Sequence, residues 1–121
     1  MATVKIVIAG CRDYCNYDEA KEYLDDCLAD VKSKYDIIIL SGGASGADKL
    51  GERYALENDL LVERFLPEWD KYGKSAGPRR NIRMAENGDL IICFWDGKSR
   101  GTKSMIAYAK KYNKPLLIKK I

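Results

Sequence analysis

Asp36-Ile37-Ile38-Ile39-Leu40-Ser41-Gly42-Gly43-Ala44-Ser45-Gly46-Ala47-Asp48 joins a run that is apolar on both faces to a glycine-rich turn and the start of a helix. A short strand rich in β-branched residues, with no polar face, suits a sheet covered on both sides. The helix that follows is predicted over about Ala47 to Asn58. Upstream, Val4 to Ala9 repeats the buried-strand pattern and is closed by Gly10. Between the two strands, Ala20, Tyr23, Leu24, Cys27, Leu28, Val31 and Tyr35 fall at the three-four spacing of an amphipathic helix beginning near Asp18.

Downstream the alternation continues. Leu60 to Leu66 reads as a third strand, stopped by Pro67, and Pro67 to Gly77 reads as a polar loop holding Trp69 and Tyr72. A helix is predicted from Pro78, where proline suits a first turn, to Glu86, with Asn87-Gly88 as its stop. Asp89 to Trp95 is the fourth strand and Asp96 to Arg100 a loop. A helix then runs from Gly101 to about Tyr112, and Leu116 to Lys119 is the last strand. Strands alternating with helical crossovers predict an α/β domain, a parallel sheet with helices on both faces. In such folds ligands bind outside the carboxyl ends of the strands.

The chain has 121 residues, enough for one domain over 1–121, and is 46% hydrophobic and 32% charged, a globular balance. A net charge of +3 is too small to announce nucleic acid or an anionic membrane. There is no histidine, which excludes Ser-His and Cys-His nucleophile pairs and imidazole acid-base catalysis. Cys11, Cys15, Cys27 and Cys93 form no C-x-x-C pair, so neither a metal site nor a cofactor is expected. Cys27 and Cys93 fall at apolar positions and read as core residues. The apolar run Leu90 to Trp95 is far too short to span a bilayer, and the amino terminus lacks a basic region followed by an apolar stretch. The expectation is a soluble cytoplasmic protein with no membrane partner.

Ser41, Gly42, Gly43, Ser45 and Gly46 form the strongest local signal. Glycines let backbone approach a ligand, and a helix start aims free N–H groups at an anion. The competing structural reading is a capping box, Ser45 accepting from the Asp48 amide while Asp48 reaches back. Gly10 and Arg12 close the first strand, where a guanidinium is placed to grip a phosphate in bidentate fashion, the competing reading being a surface arginine paired with Asp13. Arg80 and Asn81 lie with Arg79 at a helix start, where the dipole disfavours cations and an external anion would explain them. Gly101 and Thr102 offer a second anion-binding helix start. Trp69 is a stacking surface for a base or a pin for its loop. The first turn lacks G-x-G-x-x-G. Gly97-Lys98-Ser99 and Gly73-Lys74-Ser75 fail as Walker loops, because Ile92 and Glu68 stand where glycine is needed.

Taken in order, Gly10-Cys11-Arg12, Ser41 to Asp48, Trp69 to Gly77, Arg80-Asn81 and Gly101-Thr102 resemble the SLOG superfamily of Rossmann-like nucleotide-ligand domains. Within it they are most similar to the small YspA-type branch. The resemblance implies a three-layer Rossmann-like domain with strand order 3-2-1-4-5 that binds, and in many members senses, a nucleotide or nucleotide-derived small molecule. More distantly, Arg80-Asn81-Ile82-Arg83-Met84 with Gly101-Thr102 resembles the lonely-guy-type phosphoribohydrolases, which cleave the N-glycosidic bond of nucleoside monophosphates. Here Asn81 replaces their lysine, and Lys103-Ser104-Met105 stands where their acidic residues belong. An oxocarbenium-like transition state wants a carboxylate nearby, so only Asp13, Asp48 or Asp96 remain for that role, and no catalytic residue is assigned. Ser41 to Asp48 also resembles the turn of DNA-processing protein A, which implies single-stranded DNA as the alternative partner. Relatives that pair through helices imply a homo-oligomer. Tyr23, Tyr35, Tyr108 and Tyr112 are the interface candidates, with the core as their other place.

Overall fold

Strand β1 (Thr3–Gly10) is followed by helix α1 (Tyr17–Lys34), strand β2 (Asp36–Ser41), helix α2 (Ala47–Glu57) and strand β3 (Leu61–Arg64). A one-turn helix α3 (Trp69–Tyr72) and a 3-10 turn (Gly73–Ser75) lead into α4 (Ala76–Asn87). Strand β4 (Leu90–Trp95), helix α5 (Arg100–Lys111) and strand β5 (Leu116–Lys120) complete the chain, and the computed structural model describes all of residues 1–121. The five strands pair in parallel in the order β3-β2-β1-β4-β5. This is the α/β, Rossmann-like arrangement and strand order expected.

Strand β1 sits in the middle because it is apolar on both faces, and Ile6, Val7 and Ile8 are fully buried. Side chains alternate across a strand, so the sheet divides the interior in two. Ile6, Ile8, Ile39, Ile92 and Phe94 pack against Leu24 and Leu28 of α1 and Tyr54 of α2. Val7, Leu40, Ile91 and Cys93 pack against Met84 of α4 and Met105 and Ile106 of α5. Cys93 is buried, Cys27 is half-buried against the first core, and all four thiols are free. Tyr23 packs edge-on to Phe94, and Tyr108 and Tyr112 cover the second core, whereas Tyr35 is exposed. No helix is long and apolar enough to cross a membrane.

The stretch Pro67 to Gly77 departs from the expected loop. It is largely helical, and α4 begins at Ala76, two residues before Pro78. The N–H groups of Lys71 and Tyr72 donate to Glu68 O at 3.1 and 3.0 Å, and Gly73, at φ +56°, turns the chain between α3 and the next element. A single turn carries too few residues to show a period. Pro78 falls inside the first turn of α4, where its missing N–H would have had no partner in the helix.

Candidate functional site

A cleft of about 250 Å³ opens at the carboxyl ends of β1 and β4, where the strand order reverses. Gly10 to Asp13 form one wall, Gly42, Ala44 and Asp48 a second, and Arg80 and Asn81 of α4 a third. Asp96, Ser99, Gly101 and Thr102 close the fourth side.

The turn after β2 is held from behind. Ser41, fully buried, donates through Oγ to Glu52 Oε2 at 2.6 Å and accepts the Gly43 N–H at 3.1 Å. Glu52 is held in turn by Arg64 at 2.8 Å. Asp48 Oδ2 accepts the Ala44 N–H at 3.2 Å. Gly42 has no room for a side chain, since a Cβ would lie 2.8 Å from Asp48 Oδ2 and against the Arg80 guanidinium. Gly46, at φ +76°, brings the start of α2 so close to the first loop that a Cβ there would strike the Cys11 and Arg12 backbone.

The capping box of the competing structural reading does not form. Gly46, not Ser45, is the N-cap, with no side-chain cap, and Ala47 N–H donates to Cys11 O at 3.0 Å. The neighbouring loop caps α2, leaving Ser45 exposed with no hydrogen bond, while Asp48 reaches back to Ala44 instead. Gly43, Ala44 and Ala47 N–H groups are therefore occupied. Those of Gly42, Ser45 and Gly46 have no acceptor in the protein.

The charges in the cleft are held unequally. Arg80, half-buried, donates through Nη1 to Gly42 O at 2.6 Å and Phe65 O at 3.4 Å, and through Nε to Asn81 Oδ1 at 2.9 Å. Burial draws its pKa below the ordinary arginine value. Asn81 Nδ2 donates to Gly101 O at 3.4 Å, so this amide links α4 to the start of α5. Arg12 is exposed at the mouth, and neither arginine makes an ion pair with the protein. Asp48 is only 6% exposed. Burial raises its carboxyl to about 6, while the Ala44 N–H and the Arg80 and Arg12 charges pull the other way. Asp96 accepts the Lys98 and Ser99 N–H groups, each at 2.8 Å, and these hold it below the usual carboxylate range. Ser99 caps α5 by accepting the Thr102 N–H at 3.4 Å, and its hydroxyl meets that of Thr102 at 3.0 Å. Burial raises the Cys11 thiol, which keeps it a poor nucleophile.

Of the residues singled out from sequence, Gly10, Arg12, Gly42, Asp48, Arg80, Asn81, Gly101 and Thr102 share this cleft. Gly43, Ser45 and Trp69 line an adjoining hollow of about 320 Å³ with Leu66 and Pro67, and Arg12, Gly42, Ala44 and Arg80 belong to both. Ser41 and Gly46 line neither; they shape the turn from behind. Asp13, Asp48 and Asp96, the carboxylates weighed for glycosidic chemistry, all reach the cleft. Sequence reasoning missed Glu52 and the brace it gives Ser41, for which no local pattern exists. The loop expected from Asp96 to Arg100 is there over Asp96 to Ser99, its turn held by Asp96, which Gly97 follows as such signals require. No group of Cys, Asp and Glu side chains is arranged to hold a metal ion.

Beyond the hollow, Lys71, Tyr72, Arg79, Arg80 and Arg83 line a groove of about 430 Å³ in which Glu68 is the lone carboxylate. Arg79 lies over the Tyr72 ring at 4.3 Å, and Trp69 is 51% exposed.

Comparison with known proteins agrees with this architecture. The Gene 61 protein of Mycobacterium phage D29 is 34% identical over 100 residues, covering 76% of this chain and 80% of the phage protein. DNA processing protein A from Helicobacter pylori, whose structure describes a single-stranded DNA binding mode, superposes over 95% of this chain with a TM-score of 0.71 and 23% identity. That from Streptococcus pneumoniae superposes over 97% with a TM-score of 0.72 and 16% identity. The protein TM1055 matches over 96% of this chain and 72% of its own, with a TM-score of 0.64 and 20% identity. The chain spans 64% of the Helicobacter chain and 50% of the Streptococcus chain, and at these identities what is shared is the fold. Residues 4–72 match the YAcAr family, described as YspA, cpYpsA-related SLOG, and the chain belongs to that family.

Proposed function

We propose that this protein binds, and serves to sense, a phosphorylated nucleoside derivative in the cleft at the carboxyl edge of the sheet. The observation that carries this reading is the pair Arg12 and Arg80, two guanidinium groups at one cleft with no carboxylate paired to either. A half-buried arginine that meets only carbonyls and an amide is poised for an external anion. The free N–H groups of Gly42, Ser45 and Gly46, and that of Gly101 in the first turn of α5, add donors around it. Asp48 or Asn81 would meet ribose hydroxyls, and Trp69 or Tyr72 the base.

Thermal melts with AMP, ADP, ATP, NAD, ADP-ribose, cyclic nucleotides and a short DNA strand test it. A ligand at ~100 times its Kd adds about 2.7 kcal/mol, which raises the midpoint of a domain this size by several degrees. A shift lost in Arg12→Ala supports the cleft; a flat panel overturns the reading. Release of free base from nucleoside monophosphates would replace sensing with N-glycosidic hydrolysis.

The groove beside α3 favours a second reading, single-stranded nucleic acid, because it sets Lys71, Arg79 and Arg83 beside Trp69 and Tyr72. Strand-binding grooves combine such cations with stacking rings, and the Helicobacter protein of this fold is described as binding single-stranded DNA. Mobility shifts that weaken steeply with salt would support it, and a shift insensitive to salt would count against it.

A further inference from the structure

We infer that two copies of this chain pair through the free edge of β3, strand against strand and antiparallel about a two-fold axis at Val62, so that one sheet runs through both. The inference does not depend on what the cleft binds. β3 is an end strand of the sheet, and its ladder with β2 leaves a definite set of groups unpaired. Phe65 N–H donates to Ser41 O at 2.8 Å, and along a strand successive residues turn their N–H and C=O groups to opposite sides. Leu61 and Glu63 therefore bond to β2, while Val62 and Arg64 turn theirs outward, where no other element meets them. An open strand edge is a template for another strand.

Neither helix layer covers this edge. α2 sits over β1, where a Cβ at Gly51 would meet Ile8 at 2.8 Å. On the other face α4 and α5 pack on Val7, Ile91 and Cys93 of β1 and β4. Apolar side chains are left bare on both sides of β3, Leu61 being 70% exposed and Leu56 79%. Leu56 lines a hollow of about 350 Å³ with Leu60 and Val62, and Leu61 a second of about 440 Å³ with Tyr35. The opposite edge strand, β5, ends in Lys119 and Lys120, and lysines blunt an edge. β3 instead carries Glu63 and Arg64, a charge of each sign.

Charge selects both the occupant and the register. Outward groups must meet outward groups, so a closed pairing is centred on Leu61, Val62, Glu63 or Arg64. Centred on Glu63 it sets that carboxylate against the partner's Glu63, and centred on Arg64 it sets guanidinium against guanidinium. Like charges directly opposite destabilise a sheet. Centred on Leu61 it leaves the Arg64 N–H opposite the partner's Asn58, in the turn that ends α2. Centred on Val62 it sets Val62 against the partner's Val62, Leu61 against the partner's Glu63 and Leu60 against the partner's Arg64, with no like charges opposed. A strand matched to itself in this way fits a second copy and closes as a dimer.

Sedimentation equilibrium of the whole chain tests this, and a dimer is expected. Leu61→Glu sets a carboxylate opposite the partner's Glu63 and should weaken the dimer about tenfold, whereas Leu61→Lys sets an ammonium there and should leave it as tight or tighter. The exposed side chain lets both variants fold, which thermal melts check. In the unaltered protein the Val62 and Arg64 amides should exchange more slowly as concentration rises, and exchange independent of concentration overturns the pairing. A monomer at every concentration up to about 1 mM overturns it too, as does a dimer that both variants weaken alike or that neither alters.

Discussion

The Arg80 guanidinium donates to the carbonyl oxygen of Gly42 at 2.6 Å, tying the first turn of α4 to the turn after β2. Arg80 therefore has a structural duty as well as a place in the cleft, and Arg12 has only the second. Arg80→Ala leaves the Gly42 and Phe65 carbonyls without this donor and should lower stability by ~1–2 kcal/mol. It should also abolish the ligand-induced rise in Tm. Arg12→Ala should abolish that rise while leaving the unliganded stability within about 0.5 kcal/mol of wild type, as befits an exposed side chain. Melts with and without ligand separate the two.

Asp48 gives a pH signature. Its carboxyl stands at about 6 in the folded protein against 3.8 as an ordinary aspartate. A raised value means that the fold favours the proton: the stability linked to it is complete below about pH 4 and is lost as pH rises through 6. Ionising the group in place costs ~3 kcal/mol at most. Asp48→Asn keeps an acceptor for Ala44 and should be more stable than wild type by about 1–3 kcal/mol at pH 8, the advantage fading by pH 4. Urea unfolding of both proteins across that range measures the difference. Carboxylates with lowered values, such as Asp25, Glu52 and Asp96, cancel in the comparison.

Ser41 and Glu52 shape the turn without lining the cleft. Ser41→Ala strips an acceptor from the Gly43 N–H and a donor from Glu52, both partly enclosed. A loss of ~1–3 kcal/mol is expected, together with faster hydrogen exchange at the Gly43 amide. Unchanged exchange there would show that the turn does not depend on this brace.

Two glycines with the same backbone habit should respond differently. Gly97, at φ +83°, has nothing near the position of a Cβ, so Gly97→Ala should cost only the ~1–2 kcal/mol of the left-handed conformation. Gly46→Ala meets the Cys11 and Arg12 backbone as well, and should destabilise by about 3 kcal/mol or more and loosen the Ala47–Cys11 hydrogen bond. Denaturant midpoints of the two variants decide the matter.

Two-sided apolar runs such as Ile37 to Leu40 made the strands legible, and the three-four spacing of α1 made its burial legible, because both follow from periods that hold over many residues. The elements around Trp69 were not legible: α3 and the 3-10 turn hold by a few local hydrogen bonds to Glu68 and Tyr72 that leave no repeating pattern. At the cleft, Arg12 and Arg80 stood out as cations where charge alone gave no reason for them. Their common wall is a matter of tertiary distance, since Gly42 and Arg80 stand 38 positions apart in sequence with no sign there of contact. The competing capping box fails although Ser45 and Asp48 have the right spacing, because Gly46 takes the N-cap place and the Cys11 carbonyl, from a loop remote in sequence, accepts the first helical N–H, that of Ala47. A side-chain cap competes poorly with a backbone acceptor already held in place.

The pairing of β1 with β4, from Ile6 with Leu90 to Gly10 with Phe94, is the only strand ladder between the half of the sheet that carries the glycine turn and the half that carries α5. The cleft straddles that seam, its Arg12 wall on one side and Thr102 on the other. Any molecule seated there acts as a rivet across the joint, resisting the opening motion in which the two halves part. Occupancy should then slow unfolding of the whole chain and protect it from proteolysis as a unit, so that resistance to digestion becomes a direct gauge of whether the site is filled.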